Sequence, residues 1–294
     1  MYDYKKGLQA MAVCYFIWGF QPLYYAIDNE IDTFFLLCCR IIWAAICCLI
    51  ILKIQGKISL LTCVFKDSAV LKREVPAAFL LLADWGIYLY AVRNGRVLEC
   101  SMGYYIMPLV MFMLGAFVFK EKVNWRHFAV LIFVVAGIIL SINGFGRFPY
   151  VTVLLSLCFA IYSGIKKSLT VDSVVSTSAE IIILVPLALI YIILFCRGEN
   201  GLLSLTFSRL LFIIGSGIVT AVPMVCFSVG LKYLPLTFTS IIEYTSPTLG
   251  IFCSLILGET LSSRKLLSFI FIWIGVALYI FNLLYENKKR SFDS

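Results

Sequence analysis

FFLLCCRIIWAAICCLIIL, residues 34–52, decides the class of this chain. Eighteen of its nineteen residues are apolar, and the exception is Arg40. A helix of this length rises 1.5 Å per residue and spans roughly 30 Å, the thickness of a bilayer's hydrocarbon core. Arginine keeps its charge at any physiological pH. The stretch therefore places a permanent charge inside a membrane-length apolar helix, and something has to balance it.

The rest of the chain reads the same way. Of 294 residues, 62% are apolar and 14% charged, against about 45–50% and about 25% in a soluble domain. Apolar runs between charged or Gly/Pro breaks give ten spans, at residues 7–26, 33–52, 75–94, 97–119, 126–143, 149–166, 174–196, 209–231, 236–257 and 266–285. The expected fold is an all-α integral membrane protein with ten transmembrane helices. The first run follows Lys5 and Lys6. It is too long for a signal-peptide core and no small-x-small cleavage site follows it, so it reads as a retained helix. The sizeable loop from Lys53 to Glu74 has room for a short amphipathic turn. Eleven cysteines, Cys38, Cys39, Cys47 and Cys48 among them, sit almost entirely inside apolar runs. They read as small hydrophobes, with neither a disulfide framework nor a zinc spacing.

Loop charges set the orientation. With the N-terminus inside, sixteen basic residues fall on the inner side, seven on the outer, and Arg40 in neither. That predicts both termini in the cytoplasm and a cell-membrane location. The net charge of +8 is then a topology signal with an attraction to anionic lipid. No soluble basic domain exists to hold nucleic acid.

The chain also compares with itself. Tyr105 precedes Pro108 by three residues, and Tyr244 precedes Pro247 by three; Glu121 precedes Gly137 by sixteen, and Glu259 precedes Gly275 by sixteen. CYFIWG from Cys14 resembles CFAIYSG from Cys158. The expected unit is five helices, residues 1–144 and 145–294. Because five is odd, the second unit enters the membrane in the opposite direction, an inverted repeat of the kind that places a transporter's substrate between its halves. Pro108 and Pro247 fall near the middle of their spans, where proline frees a carbonyl and kinks a helix. They read as helix breaks at the site, or as ordinary transmembrane prolines.

YAVRNGRVLECSMGYYIMPLV from Tyr90, with IWGFQPLYY upstream and IVTAVPMVCFS downstream, resembles the EamA-type drug/metabolite transporter family, in particular its RarD branch. The likeness runs from Lys6 to about Tyr285. It implies a ten-helix inverted repeat that moves small organic solutes. In the branch pattern Asn stands at the position of Asp84, Gln at Glu243 and Asn at Met107. Two neutral positions are thus acidic here.

Few ionisable residues lie within the spans: Arg40, Asp84 and Glu243 near the middle, Glu180 shallower, and Glu99 at the outer mouth. A mid-membrane charge costs roughly 2.5–3.5 kcal/mol on insertion scales and usually faces a polar cavity or a partner. Asp84 is the partner expected for Arg40, with Glu243 second. The structural alternatives are a tie between the second and third helices or snorkelling to the outer interface. Glu180 reads as reaching the headgroups or pairing with Lys166 or Lys167, and Glu121 and Glu259 as helix-boundary residues. Trp18, Tyr24, Trp85, Tyr88, Tyr104, Tyr105 and Tyr244 are candidates to line an aromatic cavity, or ordinary packing residues.

Three functions compete: a secondary transporter of a small organic solute, an intramembrane enzyme, and a channel or non-transporting sensor. The single histidine, His127, has no HExxH context, and no GxxxxGK loop is present, so neither a metalloprotease nor ATP drive is supported. The leading expectation is a permease working by alternating access, with Asp84 or Glu243 as proton carrier. No cofactor is called for.

Overall fold

A computed structural model describes residues 4–118, 125–167, 169–196, 205–233 and 242–292. Its helices are α1 (Tyr4–Tyr25), α2 (Thr33–Ile54), α3 (Ile58–Lys66), α4 (Ser68–Arg93), α5 (Val97–Val118), α6 (Trp125–Phe145), α7 (Tyr150–Lys167), α8 (Ser173–Phe195), α9 (Phe207–Tyr233), α10 (Thr245–Ile256) and α11 (Ser263–Phe292). Among the described residues there is no strand. Among the described residues, four helices are long and apolar enough to cross a membrane: α2, α4, α8 and the Phe207–Phe227 part of α9.

Three aspartates start helices in the same way. Asp32 accepts from the Phe35 N–H at 2.8 Å, Asp67 from Ala69 at 2.9 Å, and Asp172 from Val174 at 3.1 Å. Each satisfies backbone donors that a helix start leaves without intrahelical partners. Asp172 also pairs with Lys57 at 2.8 Å, which ties the turn after α2 to the start of α8. Burial opposes its charge, but Lys57 and the Val175 and Val174 amides outweigh that and hold its carboxyl below the usual value. Gly95, with φ of +63°, makes the tight reversal between α4 and α5 in a conformation that other residues resist.

The expected loop from Lys53 to Glu74 is mostly helical. It contains the nine-residue α3, whose Leu61 and Val64 are buried, and α4 begins at Ser68 rather than near residue 75. This shift puts Glu74 inside a helix.

The helices pack in a regular set of pairs. α2 lies against α8 and α9, α1 against α9 and α10, α4 against α7 and α8, α5 against α7 and α10, and α6 against α11. The main core joins α2 and α4 to α7, α8 and α9. Outside it, Phe16, Phe34, Ile193 and Phe252 are more than half exposed. Such apolar surface is a liability in water and the normal coat of a helix bundle in hydrocarbon.

Candidate functional site

The charge of α2 sits at the centre of the molecule's polar chemistry. Arg40 is 3% exposed. Its Nε donates to Thr220 Oγ1 on α9 at 2.7 Å, and Thr220 donates in turn to the Ser216 carbonyl at 2.8 Å. The guanidinium lies 4.5 Å from the Trp85 ring centroid and 5.1 Å from that of Tyr25. Desolvated contacts of this kind contribute about 2 kcal/mol each. The expected ion pair with Asp84 is not formed: among the described residues no carboxylate lies within 4.0 Å of Arg40. It is Trp85, the residue after Asp84, that reaches the guanidinium.

α4 supplies Asp84 and Tyr88 from one face, since positions i and i+4 of a helix lie together, and Trp85 stands about 100° round the helix from Asp84. Asp84 is 3% exposed and Tyr88 5%. Three buried atoms of these residues have no hydrogen-bond partner among the described residues: Arg40 Nη1, Asp84 Oδ1 and the Tyr88 hydroxyl. A buried polar atom left unpaired costs about 1–3 kcal/mol, so the arrangement suits a group that arrives from elsewhere. Aromatic rings frame it. Tyr25 meets Tyr88 at 6.4 Å, and Tyr88 meets Tyr104 at 6.1 Å.

The other expected aromatics form a second and a third group. Trp18 packs on Tyr15 at 5.8 Å and on Phe227 at 5.6 Å. Glu243, half-buried, is within electrostatic reach of Cys14 and Tyr15 beside them. Tyr105 stacks on Tyr244, with centroids 5.9 Å apart and planes 17° apart, and its hydroxyl shares a 2.5 Å hydrogen bond with Thr248 Oγ1.

Pro247 is not in the middle of a helix. The chain is helical at residues 242–243, turns at Tyr244 and resumes at Thr245, so Pro247 is the third residue of α10. Proline fits the first turn because that N–H has no intrahelical acceptor. The break leaves the Glu243 carbonyl without the bond that residue 247 would otherwise donate. The backbone at Pro108 is helical, while its side chain, like all of Glu121, lies outside the described residues.

Glu99 belongs to an ion cluster. It is 1% exposed and pairs with Arg96 at 2.9 Å and with Arg147 at 3.0 Å. Arg96 also covers the Tyr150 ring at 4.1 Å and donates to its hydroxyl. The cluster locks the α4–α5 turn to the start of α7. Glu259, past the end of α10, accepts from the N–H groups of Val97 and Leu98 and caps α5 across the molecule. Its place at a helix boundary is as expected; that the helix it caps is α5 is not visible in sequence.

On the opposite side, Glu180 pairs with Lys166 at 2.9 Å and accepts from the Tyr162 hydroxyl at 3.0 Å. Lys166 also donates to Ser176 Oγ, which donates to Glu74 Oε1 at 2.5 Å. Glu74 and Thr220 were not expected at any site. Glu74 had looked like the end of a loop, and threonine is too common in apolar helices to single out.

Apolar helices of membrane length packed around a buried arginine ringed by aromatics define a multi-pass membrane protein. The chain belongs to the EamA-like transporter family, whose profile matches residues 5–143 and again 149–281. It is 32% identical to the transporter YojE of Bacillus subtilis (strain 168) over 95% of this chain and 94% of that one. It is 27% identical to protein RarD of Escherichia coli (strain K12) over 98% of both. A solved structure, "Crystal structure of protein", superposes with a TM-score of 0.61 at 16% identity, covering 94% of this chain and 97% of that one. At that identity the likeness speaks of fold alone.

Proposed function

We infer that this protein is a secondary transporter that carries a small organic solute across the cell membrane by alternating access between two inverted halves, residues 1–144 and 145–294. The observation that carries this reading is the central constellation. Arg40, Asp84 and Tyr88 hold unpaired polar atoms in a buried aromatic frame built from α1, α2, α4 and α5, and Thr220 of α9 ties it to the second half.

The packing supports the inversion. If α1, α2, α4, α5 and α6 correspond to α7, α8, α9, α10 and α11, the contact of α5 with α7 mirrors that of α10 with α1. The contact of α4 with α7 mirrors that of α9 with α1, and the contact of α4 with α8 mirrors that of α9 with α2. Tyr105 and Tyr244 occupy equivalent places and stack on one another, as residues beside a two-fold axis would. The same correspondence supports ten spans with both termini on one side of the membrane, and the loop charges make that side the cytoplasm. Single cysteines at Asn29 and Asn287 test that: only the first should react with an impermeant reagent from outside, and equal labelling of both defeats the topology.

Transport is proton-linked in this reading, with Asp84 or Glu243 carrying the proton. An anionic group on the solute engages Arg40 Nη1 while a neighbouring carboxylate gains or loses its proton, so solute and proton share one switch. A thermal-shift screen of solutes on purified protein finds the ligand, because binding to the folded state alone raises stability. In liposomes, saturable counterflow of that ligand is expected, with Asp84→Asn or Glu243→Gln removing the dependence on an imposed pH gradient. Linear, non-saturating flux would mean a channel. If both variants fold and keep the wild-type pH dependence, the proton carrier lies elsewhere.

A further inference from the structure

The link between α2 and α4 carries apolar surface that the bundle leaves uncovered. Successive residues of a helix stand about 100° apart. Ile58, Leu60, Leu61, Val64 and Phe65 therefore share one side of α3, and Ser59, Thr62, Cys63 and Lys66 the other. The bundle takes only the middle of the apolar side. Leu61 and Val64 are buried in one cluster with Leu52 of α2 and with Val174, Val175 and Ala179 of α8. Ile58 and Phe65, seven residues apart, line one flank, and Leu60 the other; all three are more than a third exposed. The polar side is exposed throughout. Ile54, the last residue of α2, adds to the uncovered apolar surface.

Length says where this surface lies. α2 has 22 residues and α4 has 26. At 1.5 Å per residue they reach about 33 Å and about 39 Å, against a hydrocarbon core of about 30 Å. α2 spends its length on the crossing, and α4 runs over by about 9 Å. α3 thus joins them at one face of the bilayer, with the start of α4 in the headgroup layer. Exposed apolar flanks at that level are a liability against water. Against acyl chains they are what an in-plane helix buries. Charge says which lipid. Lys53 in the last turn of α2, Lys66 at the end of α3 and Lys72 in the second turn of α4 are exposed. None of the three has an ion-pair partner among the described residues. Arg73 is exposed as well but has contacts of its own. The carboxylates nearby are engaged elsewhere: Asp67 with the Ala69 and Val70 amides, Asp172 with Lys57, and Glu74 with Ser176.

We propose that α3 is an in-plane anchor on the membrane surface, setting Ile58 and Phe65 among acyl chains and holding anionic phospholipid with Lys53, Lys66 and Lys72. Resting on the orientation inferred above, the leaflet is the cytoplasmic one. The lysine stems lie along the apolar flank while their ammonium groups reach the phosphates. Leu61, Val64 and the Lys57–Asp172 pair fasten α3 to α8, so lipid that holds α3 also holds the ends of α2, α4 and α8 together. This surface is separate from the solute site at Arg40.

Spin labels on the full-length protein in lipid nanodiscs read the depth. One label goes on Cys63, on the polar side, and another on Phe65→Cys combined with Cys63→Ser; the Cys63→Ser protein alone gives the background from the other cysteines. The label at 65 should be relaxed by oxygen, which concentrates in hydrocarbon, and the label at 63 by a water-soluble nickel chelate. Equal access of the chelate to both overturns the proposal. Phosphatidylglycerol titrated into delipidated protein should raise the unfolding temperature at far lower concentration than phosphatidylcholine does. Each lysine near an anionic surface contributes about fivefold, so Lys53→Gln, Lys66→Gln and Lys72→Gln together should cut the preference about a hundredfold. Equal action of the two lipids, or a preference that the triple variant keeps, overturns the proposal. So does inorganic phosphate acting as well as the lipid, which would make the lysines a site for free anions. If the triple variant does not fold, the single variants decide, each losing about fivefold. Depth and lipid preference do not depend on which leaflet bears α3, so a reversed topology at Asn29 and Asn287 changes the leaflet and leaves the anchor standing.

Discussion

Replacing Glu99 by alanine should destabilise the protein by about 3–5 kcal/mol, the usual consequence of stripping one partner from a buried ion pair. Glu99 is 1% exposed and Arg96 5%, so the guanidinium left behind keeps only the Tyr150 ring and hydroxyl as company. The third member behaves differently. Arg147 is 53% exposed, water already solvates it, and Arg147→Ala should cost only about 0–1 kcal/mol, as for a surface pair. Thermal unfolding of the two variants in one detergent checks the ranking. Removing both buried charges, Arg96→Met with Glu99→Leu, should recover much of the loss, since apolar replacement of a whole buried pair is often neutral. Equal behaviour of Glu99→Ala and Arg147→Ala would mean that water reaches the cluster.

Gly217→Ala should be nearly as damaging, and should also disable the central site. A Cβ at Gly217 on α9 would lie 2.5 Å from the Trp43 carbonyl carbon and 2.8 Å from the Ala44 nitrogen on α2. Those are backbone atoms and cannot rotate aside. Overpacking costs about 1–3 kcal/mol where side chains can yield, and here the two helices must part instead. Thr220 lies one turn further along α9, so the parting draws it from Arg40 and breaks the 2.7 Å hydrogen bond. Gly230→Ala is the control. Its Cβ would meet the side chain of Met11, a flexible thioether that refits readily. A Gly217→Ala protein that unfolds at the same temperature as Gly230→Ala, and still binds the solute found by screening, would show that α2 and α9 are not held so close.

Much of the architecture was legible in sequence because hydrocarbon is a strict solvent. A helix in it must be long, apolar and internally hydrogen-bonded, so the apolar runs name the helices almost directly. The expected edges of the second span, 33–52, differ from α2 by two residues. The Lys53–Glu74 segment was harder. Its charges interrupt the apolar run, yet α4 extends back through them to the Asp67 cap, and with it goes the burial of Glu74.

By itself the sequence singled out Arg40, Asp84, Glu180 and Glu243, because any charge in an apolar run is conspicuous, and the first three fall within membrane-length helices. It left Glu180 open between the headgroups, Lys166 and Lys167, and the structure pairs it with Lys166. What balances Arg40 was decided only in three dimensions. Thr220 and Tyr25 come from α9 and α1, 180 residues along the chain in the case of Thr220. Trp85 reaches the guanidinium, while Asp84 beside it forms no ion pair with it, because of the rotation of α4 about its axis. That rotation is set by how the side chains of α4 pack against α7 and α8, and the periodicity of an almost uniformly apolar helix carries little record of it.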